Sequence, residues 1–276
     1  MRNISTPLAR RIVITLAGLL SLAASAADIV IGSTSGFTGP VAGPVKEMTA
    51  GAQLYFDFVN SQGGIAGRML RLEALDDAFD PKRSAENAKK LVDTHGVIAL
   101  FLTRGTPHTQ AMLPIARASG TPIVAPSTGA AVFHDPVDPL IFNVRPKYQS
   151  EAEKAVVQLA TVGINRIAVV HVDDSFGKDA MTGYMKGFKA SKTEPVAVLS
   201  YDRTKPDIDA VLTKLVPLKP QAVVAAGSAK QIADLVKGAR KAGSGMQFVA
   251  LSNVSSRSFI EDLGDETHAG TEAEVL

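Results

Sequence analysis

The sequence predicts an α/β protein of two doubly wound parallel-sheet lobes, the second incomplete at its C-terminus. Three observations predict it. Beyond residue 26, short β-rich apolar runs alternate with amphipathic helical stretches, the pattern of parallel strands covered by helices on both faces. The alternation lapses over His134–Pro146, a stretch interrupted by proline and aspartate, and then restarts. Two strand-to-helix turns, Thr103–Gln110 (TRGTPHTQ) and Pro126–Ala130 (PSTGA), crowd hydroxyl residues and glycine where a helix opens.

Asp28–Ser33 reads as the first strand. Gly43–Ser61 follows as a helix with Met48, Ala52, Tyr55, Phe56 and Val59 on one face, stopped by Gln62-Gly63-Gly64. Met69–Leu75 is a strand, and Asp80-Pro81 supplies an N-cap and a first-turn proline to the helix Pro81–Thr94. Strand Val97–Leu102, helix Pro107–Ser119, strand Pro122–Ala125 and the segment Ile141–Val144 complete one lobe, over residues 27–145. The second lobe, 146–263, reads as helix Gln149–Thr161, strand Arg166–Val172, helix Lys178–Ala190, strand Val196–Tyr201 and helix Pro206–Leu215. Strand Gln221–Ala226, helix Lys230–Ala242, strand Gln247–Leu251 and helix Arg257–Leu263 follow. The polar tail 264–276 carries no strand pattern and reads as an interruption.

Residues 1–26 form a signal peptide. Arg2, Arg10 and Arg11 make a positive start without an acid. Ile12–Ala23 is an apolar run of about a dozen residues, too short to span a bilayer, and Ala24-Ser25-Ala26 is a small-x-small cleavage site before Ala27. The implied destination is the periplasm. The full chain has 29 Lys and Arg against 27 Asp and Glu, but three arginines leave with the signal, so the mature balance is 26 to 27. The basic excess is therefore an export feature and not a nucleic-acid footprint. Zero cysteines exclude disulfide and thiol chemistry.

Catalytic readings find little support. The five histidines (His95, His108, His134, His171, His268) lack metal-ligand spacing, so no metal and no cofactor is expected. Asp76-Asp77 and Asp173-Asp174-Ser175 end strands, where caps and solvated loops explain them better than acid–base work. There is no GxSxG elbow, no Walker A sequence, and Gly32–Gly36 lacks the order of a dinucleotide fingerprint. The two hydroxyl turns instead suit capture of a small anion, because helix N-termini present unpaired N–H groups and ligands gather at the carboxyl ends of parallel strands.

The chain resembles the type I periplasmic solute-binding proteins, the branched-chain amino-acid (leucine/isoleucine/valine-binding) group of ABC importers. The resemblance runs from Asp28 to about Leu263. It rests on DIVIGSTSGFTGPVAG (28–43), NSQGGIAGRMLRLEALDDAFDPKRSAENAKKLV (60–92), PIVAPSTGA (122–130), FNVRPKYQSE (142–151), IAVVHVDDSFGKD (167–179) and ARKAG (239–243). It implies a non-enzymatic, monomeric clamp whose lobes close over a small-molecule solute and are then read by permease subunits in the inner membrane. A sensor presenting solute to a chemoreceptor or kinase is the alternative. It also implies that members run well over a hundred residues further, so that this chain reads as C-terminally truncated, with exposed apolar edges.

Carried across, the resemblance places Thr106 on a ligand carboxylate and Ser127, Thr128 and Gly129 at the turn that binds carboxylate and amine. Phe176 covers the ligand from the second lobe, and Tyr148 stands at the crossover. Ser228 and Ser252-Asn253 occupy positions where the amino-acid binders place an aromatic and an acid. The implied solute is a small carboxylate-bearing molecule: an amino acid, an aromatic or other organic acid, or an amide. Loss of the acid argues against a branched-chain amino acid, because a buried ammonium without a carboxylate is costly.

Overall fold

A computed structural model describes residues 27–264 and the backbone of Glu274–Val275. The expected signal peptide and most of the tail lie outside the described residues. Two five-stranded sheets form. The first contains β1 (Ile29–Ser35), β2 (Leu70–Asp76), β3 (Leu100–Phe101), β4 (Ile123–Val124) and β5 (Ile141–Phe142), in the order β2-β1-β3-β4-β5. The second contains β6 (Ile167–Val172), β7 (Ala197–Tyr201), β8 (Ala222–Ala226), β9 (Gln247–Ala250) and β10 (Glu274–Val275), in the order β7-β6-β8-β9-β10. The two orders are the same, and every pairing is parallel. Each sheet therefore has a switch point beside its first strand, where connections leave in opposite directions and a crevice opens.

The helices are α1 (Ala42–Ser61), α2 (Pro81–Asp93), α3 (Thr106–Ser119), α4 (Tyr148–Thr161), α5 (Ser175–Ser191), α6 (Ile208–Leu215), α7 (Ala229–Lys241) and α8 (Arg257–Leu263). Local chemistry explains where most begin. Asp80 accepts from the Lys82 N–H, with Pro81 at the first helical position. Asp174 accepts from Phe176 and Gly177, so α5 begins three residues before the expected Lys178. Asp207 caps α6, displacing its start from Pro206 to Ile208. Ser228 and Gln231 form a reciprocal capping box on α7.

Burial follows position in the sheet. Central strands β6 and β8 are buried along their whole length and are continuous apolar runs, whereas β7, at the edge, alternates. Strands β3 and β4 are shorter than expected. Leu102 and Ala125, just beyond them, take left-handed backbone angles (φ 52° and 49°) that end extended structure. Tyr55 does not share the buried face of α1 with Phe56; it is 64% exposed, because the helix packs through Pro44, Val45 and Phe56. Leu54 and Phe58 are exposed beside it, as are Phe142 and Val144 at β5. The tail, expected to hold no strand, contributes β10 against β9. An edge strand accepts a partner through its backbone, so no apolar alternation is needed.

Helices α4 and α5 pack closely because α5 offers glycine at the crossing. A Cβ on Gly183 would stand 2.4 Å from the Gln149 carbonyl oxygen and 2.7 Å from the Ala152 Cβ. Gly183→Ala should therefore destabilise the fold by about 1–3 kcal/mol through overpacking, read as a lower urea midpoint. An unchanged midpoint would show that the two helices are not held at this separation.

Candidate functional site

The carboxyl ends of both sheets face one another, and the lobes are closed across them. Glu47 of α1 accepts from the backbone N–H groups of Arg257 and Ser258 at the start of α8 (3.2 and 2.9 Å). Asp179 of α5 accepts from the Ala131 N–H (3.1 Å). Between the lobes lies a narrow cavity, with about 30 Å3 of room for water centres inside about 340 Å3 of non-atom space that takes in its open mouth. Its lining comes from the segments that follow each of the strands β1 to β9. Val41 follows β1, Phe79 β2, Arg104, Gly105 and Thr106 β3, Ser127 β4, and Tyr148 β5. Phe176 follows β6, Arg203 β7, Gly227 and Ser228 β8, and Asn253 β9.

The two hydroxyl turns are zipped into one wall. Arg104 and Ser127 form a parallel bridge beyond the sheet, with the Ser127 N–H donating to the Thr103 carbonyl (2.7 Å). The Thr106 and Thr128 hydroxyls share a hydrogen bond of 2.8 Å. No side chain caps α3, whose N-cap is Gly105 at φ 101°, so the N–H groups of Thr106 and His108, with Pro107 between them carrying none, are left for another partner. Left-handed angles at Leu102 and Ala125, and at Ala78 and Phe79 after β2, place backbone strain at three strand ends around the cavity.

Arg104 dominates the electrostatics. Its side chain is buried, yet its hydrogen bonds are to neutral groups: the Asn253 carbonyl across the cleft (2.8 Å) and the Ser127 hydroxyl (3.4 Å). Burial pulls its pKa down to about 10, and the nearby Arg145 and Arg203 push the same way. It remains charged at neutral pH. Of the other two arginines, only Arg203 has an acidic partner. Arg203 is paired with Asp174, and Arg145 donates to the Ser252 hydroxyl (2.5 Å), which donates in turn to Glu151 (2.9 Å). Across the cleft, the Arg203 guanidinium lies 4.8 Å from the centroid of the Phe79 ring, and that ring stacks on His108 at 4.2 Å. Asp77, raised in pKa by burial, holds the Phe79 N–H at 2.8 Å and accepts from Thr34 and Ser84. Asp76 accepts from Thr38 and Ala78. Both carboxylates thus tether a loop, and among the described residues no group of His, Asp or Glu could hold a metal.

Of the residues expected from the sequence, Thr106, Ser127, Tyr148, Phe176, Ser228 and Asn253 meet at the cavity. Tyr148 and Phe176 pack edge to face at 5.0 Å. The Ser228 hydroxyl is engaged with Gln231, so it lines the wall chiefly as a helix cap. Thr128, Gly129 and Ser252 are not among the residues that line the cavity. The Thr128 hydroxyl faces Thr106 and Ala130, and a Cβ on Gly129 would meet the Pro146 carbonyl at 2.3 Å. Ser252 is held between Arg145 and Glu151. Val41, Phe79, Arg104, Gly105, Arg203 and Gly227 were not anticipated. Only Arg104 carried a readable signal, a cation inside the hydroxyl turn TRGTPHTQ. Phe79 and Arg203 meet across the cleft from loops far apart in sequence.

Two parallel-sheet lobes of one topology, closed around a cavity at their carboxyl ends, define a two-lobed solute-binding protein. Comparison with known proteins agrees. Residues 28–272 match the family model described as periplasmic binding protein, and the chain belongs to that family. The Leu/Ile/Val-binding protein of Escherichia coli K12 is 26% identical over 256 residues, covering 88% of this chain and 70% of that one. The crystal structure of a substrate-binding periplasmic protein from Ralstonia solanacearum matches with a TM-score of 0.78 and 31% identity, over 82% of this chain and 64% of that one. A solute-binding protein of an ABC transporter from R. palustris, solved in complex with benzoate, shares the fold with a TM-score of 0.74 and 24% identity, over 88% and 65% of the two chains. These relatives are solute-binding proteins and not enzymes.

Burial holds the His108 pKa down to about 4, while an unfolded imidazole takes up its proton near pH 6.5. Between those values the unfolded state binds more protons, so His108 should lower folding stability as pH falls from about 6.5 to 4, by up to ~3 kcal/mol. Chemical denaturation across that range should show a flatter pH dependence in His108→Leu than in the parent. Equal slopes would mean that His108 takes up its proton in the folded state.

Proposed function

We propose that this chain is the periplasmic substrate-binding component of an ABC importer, and that it captures a small carboxylate-bearing solute between two closing lobes, residues 27–145 and 146–263. The observation that carries the reading is Arg104. A buried guanidinium with only neutral partners is costly in an unliganded protein, and a solute carboxylate would relieve that cost with charge-assisted, bidentate bonds. The uncapped start of α3 and the Thr106 and Ser127 hydroxyls offer further donors on the same wall. Phe176, Tyr148 and Phe79 supply apolar contact for the body of the solute. That one relative is named for leucine, isoleucine and valine and a structural neighbour holds benzoate supports a carboxylate as the shared element. Capture makes and breaks no bond. The closed form, with Glu47 seated on the start of α8 and Asp179 on Ala131, is the state a membrane permease would read.

Native mass spectrometry of protein purified without denaturation should reveal a retained carboxylate. With that solute, calorimetry should show Thr106→Val weakening binding about 10–100-fold and Arg104→Met weakening it more. Arg104→Met should leave the ligand-free melting temperature unchanged or raised, because it removes a buried charge without an acidic partner. Retained affinity together with a lower melting temperature would make Arg104 a structural brace.

A further inference from the structure

We propose that the cavity selects a monocarboxylate whose remaining body is uncharged, and rejects the α-amino acid of the same shape. The inference rests on the solute-capture reading and names its substrate class. Three guanidiniums stand around the cleft: Arg203 is paired with Asp174, Arg145 lies outside the cavity lining and reaches Glu151 only through the Ser252 hydroxyl, and Arg104 lines the cavity. Of the two arginines that line the cavity, Arg203 is paired with Asp174, and Arg104, buried in its wall, has no acidic partner. A single solute carboxylate supplies that partner.

A second charge of either sign does not fit. An α-ammonium would enter a cavity whose lining, among the described residues, contains two arginines and neither aspartate nor glutamate. Asp174 cannot be diverted to it. One of its oxygens caps α5 through Phe176 and Gly177, and the other holds Arg203, so releasing it would leave Arg203 unpaired against Phe79. A second carboxylate would meet only Arg203, already neutralised by Asp174. An unpaired buried ion of either sign costs enough to outweigh the contacts its side chain adds.

The rest of the wall suits an uncharged body. Val41, Phe79, Tyr148 and Phe176 present apolar or aromatic surface. Phe79 is held in place by Arg203 and by stacking on His108. Asn253 adds one polar feature, a buried side-chain oxygen without a partner, which matches a neutral donor such as a hydroxyl.

Calorimetry on the purified chain with matched pairs tests this directly: L-leucine against 4-methylpentanoate, and L-phenylalanine against 3-phenylpropanoate, with phenylsuccinate as the dicarboxylate. In at least one pair the acid lacking the ammonium should bind about 100-fold more tightly than its amino acid, and 3-phenylpropanoate should exceed phenylsuccinate. Binding of either amino acid as tightly as its partner acid would overturn the selection while leaving solute capture standing. So would tighter binding of phenylsuccinate. If no compound binds and native mass spectrometry finds no retained carboxylate, the capture reading falls and the selection with it. Arg104→Lys, which keeps the charge and loses the planar fork, should retain the preference at reduced affinity. A preference that disappears in this variant would place its origin outside the charge balance.

Discussion

Parallel pairing governs this molecule. In a parallel sheet every strand ends on the same side, and every connection must return over a face of the sheet, so all carboxyl-end segments gather at one edge. Two sheets of the same strand order, opposed at those edges, make a cavity to which the segments after β1 through β9 all contribute. No loop there has to be long or unusual for this to happen. The site is a by-product of topology, and its chemistry depends on what each short connection carries.

What those connections carry is uneven in charge. The second lobe brings Arg203 with Asp174 already attached, and the crossover region brings Arg145 linked to Glu151 through Ser252. The first lobe brings Arg104 without an acid and seats it beside an uncapped helix start. Left-handed residues at the ends of β2, β3 and β4 add local strain to the same wall. Groups that would stabilise an unliganded fold have been left unmatched where the cavity lies. The opposing lobe, with one broad continuous core, provides the firm backing. The first lobe's core is divided into three smaller clusters, and the apolar side chains of α1 and β5 stay exposed.

Much of this was legible in the residues. Alternating apolar runs and amphipathic stretches predicted the strands, the helices and the division near His134–Pro146. The cap at Asp80 was legible, whereas caps at Asp174 and Asp207 moved two helix starts from the expected residues. Six of the nine expected site residues meet at the cavity because they lie just after strands, where topology sends them. The other three are engaged with neighbours away from its lining. Thr128 turns to Thr106, Gly129 is pressed on the Pro146 carbonyl, and Ser252 is clasped by Arg145 and Glu151.

The sequence by itself determined the architecture and the anion-seeking character of the first wall, because periodicity, capping and strand-end chemistry act over a few residues. Only the tertiary structure decided the charge balance and the aromatic stack. Whether an arginine is paired depends on which acid lies within reach, and the partners of Arg203 and Arg145 come from other elements of the fold. The ladder of Arg203, Phe79 and His108 joins three segments from two lobes. Local pattern cannot encode such meetings, since they exist only once both sheets are built and closed on each other.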